Sequence, residues 1–484
     1  MSAQELYALT PLAILGLGSM ALLMLGAFMP ALGRKTLCLI GAGIALAAGL
    51  TSAFYSPEVQ LAGGMISLGG FSLFFTTLSC FTALITLLFS VGYTARRPLG
   101  DEEYPALVLF GAFGMAFLAS STSLLGIFIG LESMTLSLYV LLASNRADRL
   151  SGEAGLKYLV VGAVSTAFFA FGLGLIYAAT GTLSVAGSMH AISASGSISN
   201  IGLAGWAMLL TGLGFKASLF PFHLWAPDVY EGGPAPSVAF LSTGSKAAIF
   251  AAFLRLAFET GAGWATLTPV LWAMAALTMI FGNIAALTQN NIKRLLAYSS
   301  IAQMGYVLMA VIAAPSSGGS PAVFYILTYV LMDLGAFGVV ASLSDKDGDL
   351  GDIGRLKGMG YTHPFRGFVL TICMFSLAGL PPTAGFMGKF GVFYYAVKSG
   401  YVYLAAIGIV TAIISVYYYL RVAVYLYMTP ADEASAGASM PLVPKADLSG
   451  HAALALVAAA ILLLGILPGG MLELISAIMG SPPY

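Results

Sequence analysis

The sequence predicts an all-α protein that crosses a membrane many times. Of its 484 residues, 59% are hydrophobic and only 8% are charged, and a mean hydropathy of +0.93 excludes an ordinary soluble domain. The apolar runs are long and continuous, whereas the strands of a membrane β-barrel alternate apolar and polar residues, so the spans are helices. Glycine is abundant, with 58 residues, as expected where membrane helices pack closely.

The hydropathy pattern predicts fourteen spans of about 20 residues each. Their expected limits are 6–29, 37–55, 72–93, 105–121, 123–143, 156–180, 202–222, 237–259, 266–288, 293–313, 321–343, 365–396, 402–428 and 451–477. The linkers are short; the longest, about residues 429–450, is polar and rich in alanine, serine and proline. No separate extramembrane domain is expected.

Basic residues in the loops predict the orientation, because loops rich in lysine and arginine face the cytoplasm. One alternating set of loops holds Arg34, Lys35, Arg96, Arg97, Arg146, Arg149, Lys293, Arg294, Lys346, Arg355, Lys357, Arg366 and Lys445. The other set has Lys398 as its clear member. The two sets alternate across all fourteen spans, which places both termini outside the cytoplasm.

Prolines interrupt the seventh and twelfth spans. Residues 214–237 read GFKASLFPFHLWAPDVYEGGPAPS, with Pro221 inside or at the end of the helix, and residues 376–390 read SLAGLPPTAGFMGKF, with Pro381 and Pro382 at the break. Proline removes a backbone donor and clashes with the preceding turn. Broken backbone at membrane depth is tolerated only inside protein or beside water, so both breaks are predicted to lie in the interior.

The two breaks lie five spans apart, a pattern typical of transporters built from inverted repeats. A repeat of five helices reverses orientation, so spans 4–8 (residues 105–260) and 9–13 (265–428) are predicted to be inverted copies. Spans 1–3 (1–104) precede them, and a loop with span 14 (429–484) follows, within one membrane domain of residues 1–484. Two unrelated proline kinks are the alternative.

Four ionisable residues near the centres of predicted spans form the candidate proton-relay site: Glu132, Lys216, Lys246 and Lys389. A charge at the centre of a membrane helix costs roughly 3 kcal/mol, so such residues face an interior path or a partner. A buried lysine can also lose its proton. The alternatives are a structural hydrogen bond for Glu132 and snorkelling to an interface for the lysines.

Counting charges at membrane depth favours a relay. Glu132 and Asp333 are the clear acids, so even perfect pairing leaves one of the three lysines without an acid. That lysine must be hydrated or neutral, and both conditions suit proton transfer. A Glu132–Lys216 pair is a hypothesis, because it depends on which helices touch.

Three secondary relay candidates are weaker. His223 follows Pro221 by two residues and could pass protons between Lys216 and the cytoplasmic side, or could be a helix-end histidine. Lys157, near the start of span 6, is expected to snorkel to the interface. Asp333 lies mid-span with no partner that the sequence identifies.

Other polar groups are predicted to be structural. Arg255 and Glu259 are spaced to pair on one helix, and the run 345–352 is expected to be a solvated loop. On span 10, hydroxyls and an amide could hold water or bond across helices; they belong to Tyr298, Ser299, Ser300 and Gln303.

Neither a metal site nor a cofactor motif is expected. The three cysteines (Cys38, Cys80 and Cys373) lie in apolar runs without a CxxC, which argues against an iron–sulfur cluster or structural zinc. The formal net charge is zero, so no basic face suggests nucleic acid.

Three motifs in order carry a resemblance to a known family. They are GLGFKASLFPFHLWAPDVYEGGPAPSVAFLSTGSKAA, NNIKRLLAYSSIAQMGY and GLPPTAGFMGKF. Together they resemble the antiporter-like membrane subunits of respiratory complex I, the NADH:quinone oxidoreductase, over nearly the whole chain. Lys389 at the second break, where another subunit type carries glutamate, and the lack of a long lateral helix after span 14 favour one type within this group.

The resemblance implies a fourteen-helix fold in which Glu132, Lys216, Lys246 and Lys389 line a hydrated central axis. It implies proton translocation driven by quinone reduction in other subunits, with flavin, iron–sulfur clusters and quinone in those partners and no cofactor in this chain. Neighbouring antiporter-like and small membrane subunits would be its partners. The location would be the bacterial cytoplasmic (inner) membrane, with both termini on the periplasmic side.

Three alternatives stay open. The chain could belong to a multi-subunit sodium/proton antiporter, which shares the fold and the lysines. It could belong to a related membrane-bound hydrogenase or formate-linked complex. It could also be a non-transporting assembly scaffold that keeps vestigial charges.

Overall fold

A computed structural model describes residues 3–29, 31–53, 58–97, 99, 102–194, 200–345, 348–429 and 447–480. Nearly all of these residues are helical. The helices are α1 (Ala3–Phe28), α2 (Arg34–Ala53), α3 (Gly70–Tyr93), α4 (Glu103–Ser120), α5 (Leu124–Leu142), α6 (Arg149–Thr180), α7 (Val185–Ala194), α8 (Asn200–Lys216), α9 (Trp225–Gly232), α10 (Ala235–Phe240), α11 (Lys246–Glu259), α12 (Trp264–Leu287), α13 (Ile292–Ser317), α14 (Ser320–Leu343), α15 (Met359–Thr362), α16 (Pro364–Ala378), α17 (Ala384–Lys398), α18 (Val402–Tyr427), α19 (Leu448–Ile466) and α20 (Gly469–Met479).

The predicted helical, multi-span fold is confirmed. In the described part of the chain, twelve helices are long and apolar enough to cross a membrane, when the α10–α11 unit (Ala235–Glu259) is taken as one. The predicted seventh and twelfth spans correspond to pairs of shorter helices, α8 with α9 and α16 with α17. The count of fourteen spans and the inverted relation of the two repeats stay predictions.

Both predicted breaks are present where the prolines lie. Helix α8 ends at Lys216, and turns carry the chain to α9 at Trp225. Helix α16 ends at Ala378, where Gly379 adopts a left-handed conformation (φ 82°) that side chains other than glycine rarely take. The peptide bonds Phe220–Pro221 and Pro381–Pro382 are cis.

Four features depart from the sequence expectation. A π-helical turn, Leu241–Ser245, joins α10 to α11 within what was predicted as a regular span. The predicted last span, 451–477, is divided between α19 and α20 because Pro468 cannot continue a helix. A short antiparallel hairpin (Val59–Leu61 with Ile66–Leu68) and helix α7 occupy segments predicted as linkers.

The central helices are the ones that carry most of the polar chemistry. The most apolar stretch of the α10–α11 unit is fully buried, and 94% of the equivalent stretch is buried in α13 and in α14, against 33% in α1 and α6. Helices α1, α2, α6, α18 and α19 therefore present apolar surface outward, as helices in contact with lipid do. The predicted pair of Arg255 with Glu259 is confirmed at 3.2 Å, and all three cysteines are buried and free.

A buried ion cluster ties several predicted cytoplasmic loops together. Arg97 pairs with Asp148 at 2.6 Å and with Asp349 at 3.0 Å, and Lys293 pairs with Asp349 at 2.8 Å. Asp349 also accepts hydrogen bonds from the Tyr93 hydroxyl (2.7 Å), the Ser344 hydroxyl (2.9 Å) and the Ala235 amide (3.0 Å). These loops therefore meet on one side of the bundle, as the charge pattern predicted; Lys346 and Lys445 lie outside the described residues.

The expectation that the run 345–352 is a solvated loop is wrong for Asp349. Burial alone would raise the pKa of Asp349, but Lys293, Tyr93 and Arg97 hold that pKa below its usual value of 3.8. The carboxylate therefore stays ionised at neutral pH and serves as the counter-charge of two buried cations. Asp345, by contrast, pairs with the more exposed Arg355 at 3.0 Å.

We expect Asp349→Asn to destabilise the folded chain by about 3–5 kcal/mol, because it leaves Arg97 and Lys293 buried without their counter-charge. The measurement is the thermal midpoint of the detergent-solubilised membrane assembly. Since the pKa is lowered, the stabilisation is present above about pH 4 and is lost as the pH falls through the lower folded-state pKa. The difference from wild type is therefore expected to be constant from about pH 5 to 9.

Asp345→Asn is the matched control, because it makes the same chemical change in a more exposed ion pair. Its expected effect is less than about 1 kcal/mol. Equal midpoints for the two variants would contradict the assignment of Asp349 as the buried counter-charge.

Candidate functional site

The structure buries all three candidate lysines inside the helical bundle. Relative exposure is 2% for Lys216, 1% for Lys246 and 4% for Lys389. None of them snorkels to an interface, and each ammonium must instead be solvated by protein groups. Lys216 ends α8 at the first break, Lys246 follows the π-helical turn, and Lys389 lies in α17 beyond the second break.

Lys216 is held by aromatic side chains and one hydroxyl. Its Nζ donates to the Tyr139 hydroxyl of α5 at 3.2 Å. The ammonium also lies 5.5 Å from the centre of the Tyr139 ring and 5.8 Å from that of Tyr158. Ring faces attract a cation, and the attraction grows where water is excluded.

Glu132 is linked to this lysine only indirectly. The carboxylate is partly exposed on the isolated chain and accepts a 2.7 Å hydrogen bond from the Thr166 hydroxyl of α6. The Tyr139 side chain, which contacts Lys216, interacts electrostatically with Glu132 and with Thr166. Among the described residues no ion pair joins Glu132 to Lys216 directly, because Thr166 contacts the carboxylate and Tyr139 contacts the lysine. The carboxylate acts on the lysine through space, and their functional pairing stays a prediction.

A glycine makes room for Tyr139. A Cβ atom added at Gly162 of α6 would lie 2.3 Å from the Tyr139 hydroxyl oxygen, closer than real contacts allow. Helices α5 and α6 can therefore hold the tyrosine against Lys216 only because position 162 has no side chain.

Lys246 is connected to Asp333 through two hydroxyls. Its Nζ donates to Ser300 Oγ of α13 at 2.5 Å, and Ser300 Oγ is 2.6 Å from the Tyr329 hydroxyl of α14. Tyr329 lies 3.2 Å from Asp333 Oδ2 and 2.9 Å from the Ser242 carbonyl in the π-helical turn. The structure thus supplies the partner of Asp333 that the sequence left unidentified.

Lys389 is bound by backbone rather than by an acid. Its Nζ donates to the carbonyls of Leu377 (2.7 Å) and Ala378 (3.2 Å), and it lies 5.3 Å from the centre of the Tyr306 ring. These carbonyls belong to the last turn of α16, where the break removes their helical partners. Lys389 therefore has carbonyl oxygens in place of a carboxylate among the described residues, as the charge count expected for at least one of the three lysines.

A polar network on α13 lies beside Lys389. Gln303 Nε2 donates to the Leu377 carbonyl at 3.2 Å and to the Tyr419 hydroxyl at 3.0 Å, and its Oε1 accepts from Tyr325. Ser299 Oγ is 2.5 Å from the same Tyr419 hydroxyl. The polar face of span 10 therefore bonds across helices, and adjacent serines of α13 serve two different lysine groups.

Two secondary candidates lie away from the lysines. The Lys157 side chain is 43% exposed and pairs with Glu153 (2.7 Å) and Asp228 (2.9 Å). This position agrees with the expectation that Lys157 extends to the membrane interface. His223 is buried, its ring centre is 5.5 Å from that of Phe220, and its Nδ1 has no hydrogen-bond partner in the described part. Neither side chain contacts Lys216.

Sequence reasoning missed three contributors, Tyr139, Thr166 and Gly162. Their residue types are common in membrane helices, so only the packing of α5, α6 and α8 reveals their roles. The described residues contain no group of three or more His, Cys, Asp or Glu side chains placed to hold a metal.

The chain is similar in sequence to one class of membrane subunit. Residues 121–415 match the family described as NADH:quinone oxidoreductase/Mrp antiporter, TM. The NADH-quinone oxidoreductase subunit N of Geobacter metallireducens is 48% identical over 99% of this chain and all of the relative. The subunit of the same name from Geotalea uraniireducens is 44% identical, with the same coverage.

Solved structures give the same picture. A chain of respiratory complex I from Thermus thermophilus with bound aureothin matches with a TM-score of 0.81 and 34% identity, covering 96% of this chain and 98% of that one. A chain of the archaeal membrane-bound sulfane sulfur reductase matches with a TM-score of 0.85 and 26% identity, covering 99% of this chain and 97% of that one. A chain of the Mrp complex of Dietzia sp. shares the fold, with a TM-score of 0.82, 21% sequence identity and 97% of each chain covered.

We expect Gly162→Ala to push the Tyr139 hydroxyl away from Lys216, because the added methyl has no space. Overpacking of this kind destabilises by roughly 1–3 kcal/mol. The thermal midpoint of the purified membrane assembly measures the effect.

Gly174→Ala in the same helix is the control. A Cβ there meets no atom within 4 Å, and alanine is favoured over glycine in helices by about 1 kcal/mol. Its midpoint is expected to be unchanged or raised. A Gly162→Ala midpoint that matches the Gly174→Ala midpoint would show that the close approach of Tyr139 is unimportant.

Proposed function

The chain belongs to the subunit N family of NADH-quinone oxidoreductases, within the wider NADH:quinone oxidoreductase/Mrp antiporter family, and we propose that Glu132, Lys216, Lys246 and Lys389 relay the protons it translocates. The observation that carries the proposal is the burial of three lysines, each hydrogen-bonded to hydroxyl or carbonyl oxygens in the interior of a multi-span membrane protein. Amines so placed can exchange protons at low cost, because burial weakens their preference for the charged form.

Electrostatics couples the steps. The negative charge of Glu132 stabilises the protonated form of Lys216, and the two residues are separated only by Thr166 and Tyr139. Neutralising that negative charge favours release of the proton from Lys216. A proton that reaches one lysine disfavours a second cation nearby, since charges interact strongly where water is scarce. Charge changes can therefore pass along the three lysine groups without a redox reaction in this chain.

The energy source lies in the partner subunits. NADH oxidation and quinone reduction would take place there, on flavin, iron–sulfur clusters and quinone, and this chain would hold none of these cofactors. Its partners would include neighbouring antiporter-like and small membrane subunits in the bacterial inner membrane. The basic residues on one set of loops support an orientation with both termini on the periplasmic side. The 48% identity to subunit N supports this assignment over a sodium/proton antiporter.

We expect Lys389→Ala to lower the NADH-driven pH gradient several-fold in inverted membrane vesicles. The change removes the ammonium and leaves the Leu377 and Ala378 carbonyls without its hydrogen bonds. Fluorescence quenching of an acidity-sensitive dye measures the gradient, and immunoblotting of the solubilised complex measures assembly.

Lys398→Ala is the matched control, because Lys398 ends the same helix but is exposed. That variant is expected to pump as wild type. Normal pumping by Lys389→Ala in a fully assembled complex would support a scaffold and end the proposal for this residue.

We expect Glu132→Gln to assemble normally and to reduce pumping several-fold. Glutamine keeps an oxygen that can accept from Thr166 but removes the negative charge, so the variant separates a charge role from a structural hydrogen bond. Unchanged proton transport would remove Glu132 from the relay.

A further inference from the structure

Asp333 is an unusual residue for the interior of a membrane helix. It lies in α14 with no solvent exposure, and its Oδ1 has no hydrogen-bond partner among the described side chains and backbone. Its Oδ2 accepts from the Tyr329 hydroxyl at 3.2 Å, and the Ser242 side chain also acts on the carboxylate. A buried carboxylate oxygen without a partner is costly, which points to a role beyond packing.

A continuous path of hydrogen bonds from Lys246 to Asp333 can run in only one direction. An ammonium only donates and a carboxylate only accepts. Ser300 therefore accepts from Lys246, and a continuous path to the acid requires that Ser300 donate to Tyr329, a bond in which either hydroxyl can be the donor. Tyr329 then has one hydrogen left to give, which can go to Asp333. The two hydroxyls form an aligned path from the amine to the acid.

We propose that Asp333 is the proton acceptor of Lys246, reached through Ser300 and Tyr329. The inference rests on the proposed function and gives Asp333, until now a secondary candidate without a partner, a defined role in it. In the forward step, Lys246 Nζ gives a proton to Ser300 Oγ, which passes its own hydrogen to Tyr329. Tyr329 passes its hydrogen to Asp333 Oδ2. No heavy atom moves, and the amine and the carboxyl both end neutral.

The π-helical turn supplies a second acceptor for the Tyr329 hydroxyl, so the path has a connected and an interrupted state. The single hydrogen of Tyr329 has two acceptors, Asp333 Oδ2 at 3.2 Å and the Ser242 carbonyl at 2.9 Å. An amide carbonyl can accept a hydrogen bond but does not take up a proton at neutral pH, so rotation of the hydroxyl towards Ser242 interrupts the transfer. The turn at Leu241–Ser245 places that carbonyl where Tyr329 can reach it.

The path ends at Asp333. Within the described residues no hydrogen-bonded path leads from its carboxylate to Lys216 or Lys389. Ser299, the neighbour of Ser300 on α13, belongs to the Tyr419 and Gln303 network instead. Asp333 therefore stores a proton while Lys246 is neutral and returns it by the same route. It is a side branch of the relay rather than a step between lysines.

The test uses the complete complex in inverted membrane vesicles carrying Asp333→Asn, Tyr329→Phe or Ser300→Ala. Each variant is expected to lower the NADH-driven pH gradient several-fold with normal amounts of assembled complex. Asp333→Glu is expected to restore most of the gradient, because it keeps the carboxyl. Tyr329→Phe retains the carboxylate, so it tests the path even where Asp333→Asn fails to assemble.

Tyr104→Phe is the control for losing a buried tyrosine hydroxyl. Tyr104 is equally buried and bonds to Ser90 and Ser237 rather than to a lysine, so its variant is expected to pump as wild type. A second readout is the infrared difference spectrum between resting and turning-over complex. We expect a carboxylic acid band that is absent in Asp333→Asn and weakened in Tyr329→Phe, which a purely structural carboxylate would not produce.

Lys246→Ala distinguishes failure of the proposed relay through Lys246 from failure of the proposed role of Asp333. If Lys246→Ala pumps normally, the proposed relay through this lysine fails. If Lys246→Ala loses pumping while Tyr329→Phe and Asp333→Asn pump as wild type, the relay stands and the role of Asp333 is overturned.

Discussion

The architecture depends on one constraint, which is that an ammonium group buried within a membrane protein needs polar or aromatic partners in place of bulk water. Each lysine meets this requirement differently. Lys216 uses a hydroxyl and two aromatic rings, Lys246 uses a serine hydroxyl that leads to an acid, and Lys389 uses carbonyls freed by a break. The prolines, the π-helical turn and the glycine beside Tyr139 are the local irregularities that put those oxygens and rings in reach.

Helix α13 organises the second and third of these groups. It is almost entirely buried, and neighbouring positions on it face different partners, with Ser300 at Lys246 and Ser299 and Gln303 at the network beside Lys389. A helix in contact with lipid could not carry so many polar groups, because each unsatisfied one would be costly. Both networks therefore lie on one helix, and among the described residues no hydrogen bond joins the Lys246 group to the Lys389 group.

Much of the fold could be predicted from the sequence because hydropathy and proline act locally. The limits of most spans, both breaks and the mid-span lysines all follow from residues within one helix. The partners could not be predicted, because they depend on which helices touch. Thr166 and Tyr139 look like ordinary membrane residues until α5, α6 and α8 pack together, so the sequence could not show that they are the contacts of Glu132 and Lys216. Asp349 looked solvated because a run of acids in a loop usually is, and only Arg97 and Lys293, distant in sequence, explain its burial.

The cluster around Asp349 has a mechanical consequence. It fastens the ends of α3, α10, α13 and α14 to one another with charges that cannot separate cheaply. Any tilting of these helices must therefore pivot about this fastened end, and displacement grows with distance along each helix. Lys246 lies partway along one of these helical units, α10–α11, and its partner Ser300 lies partway along α13. A small rotation about the fastened end therefore changes their separation less than it changes the distance between the opposite ends of the helices.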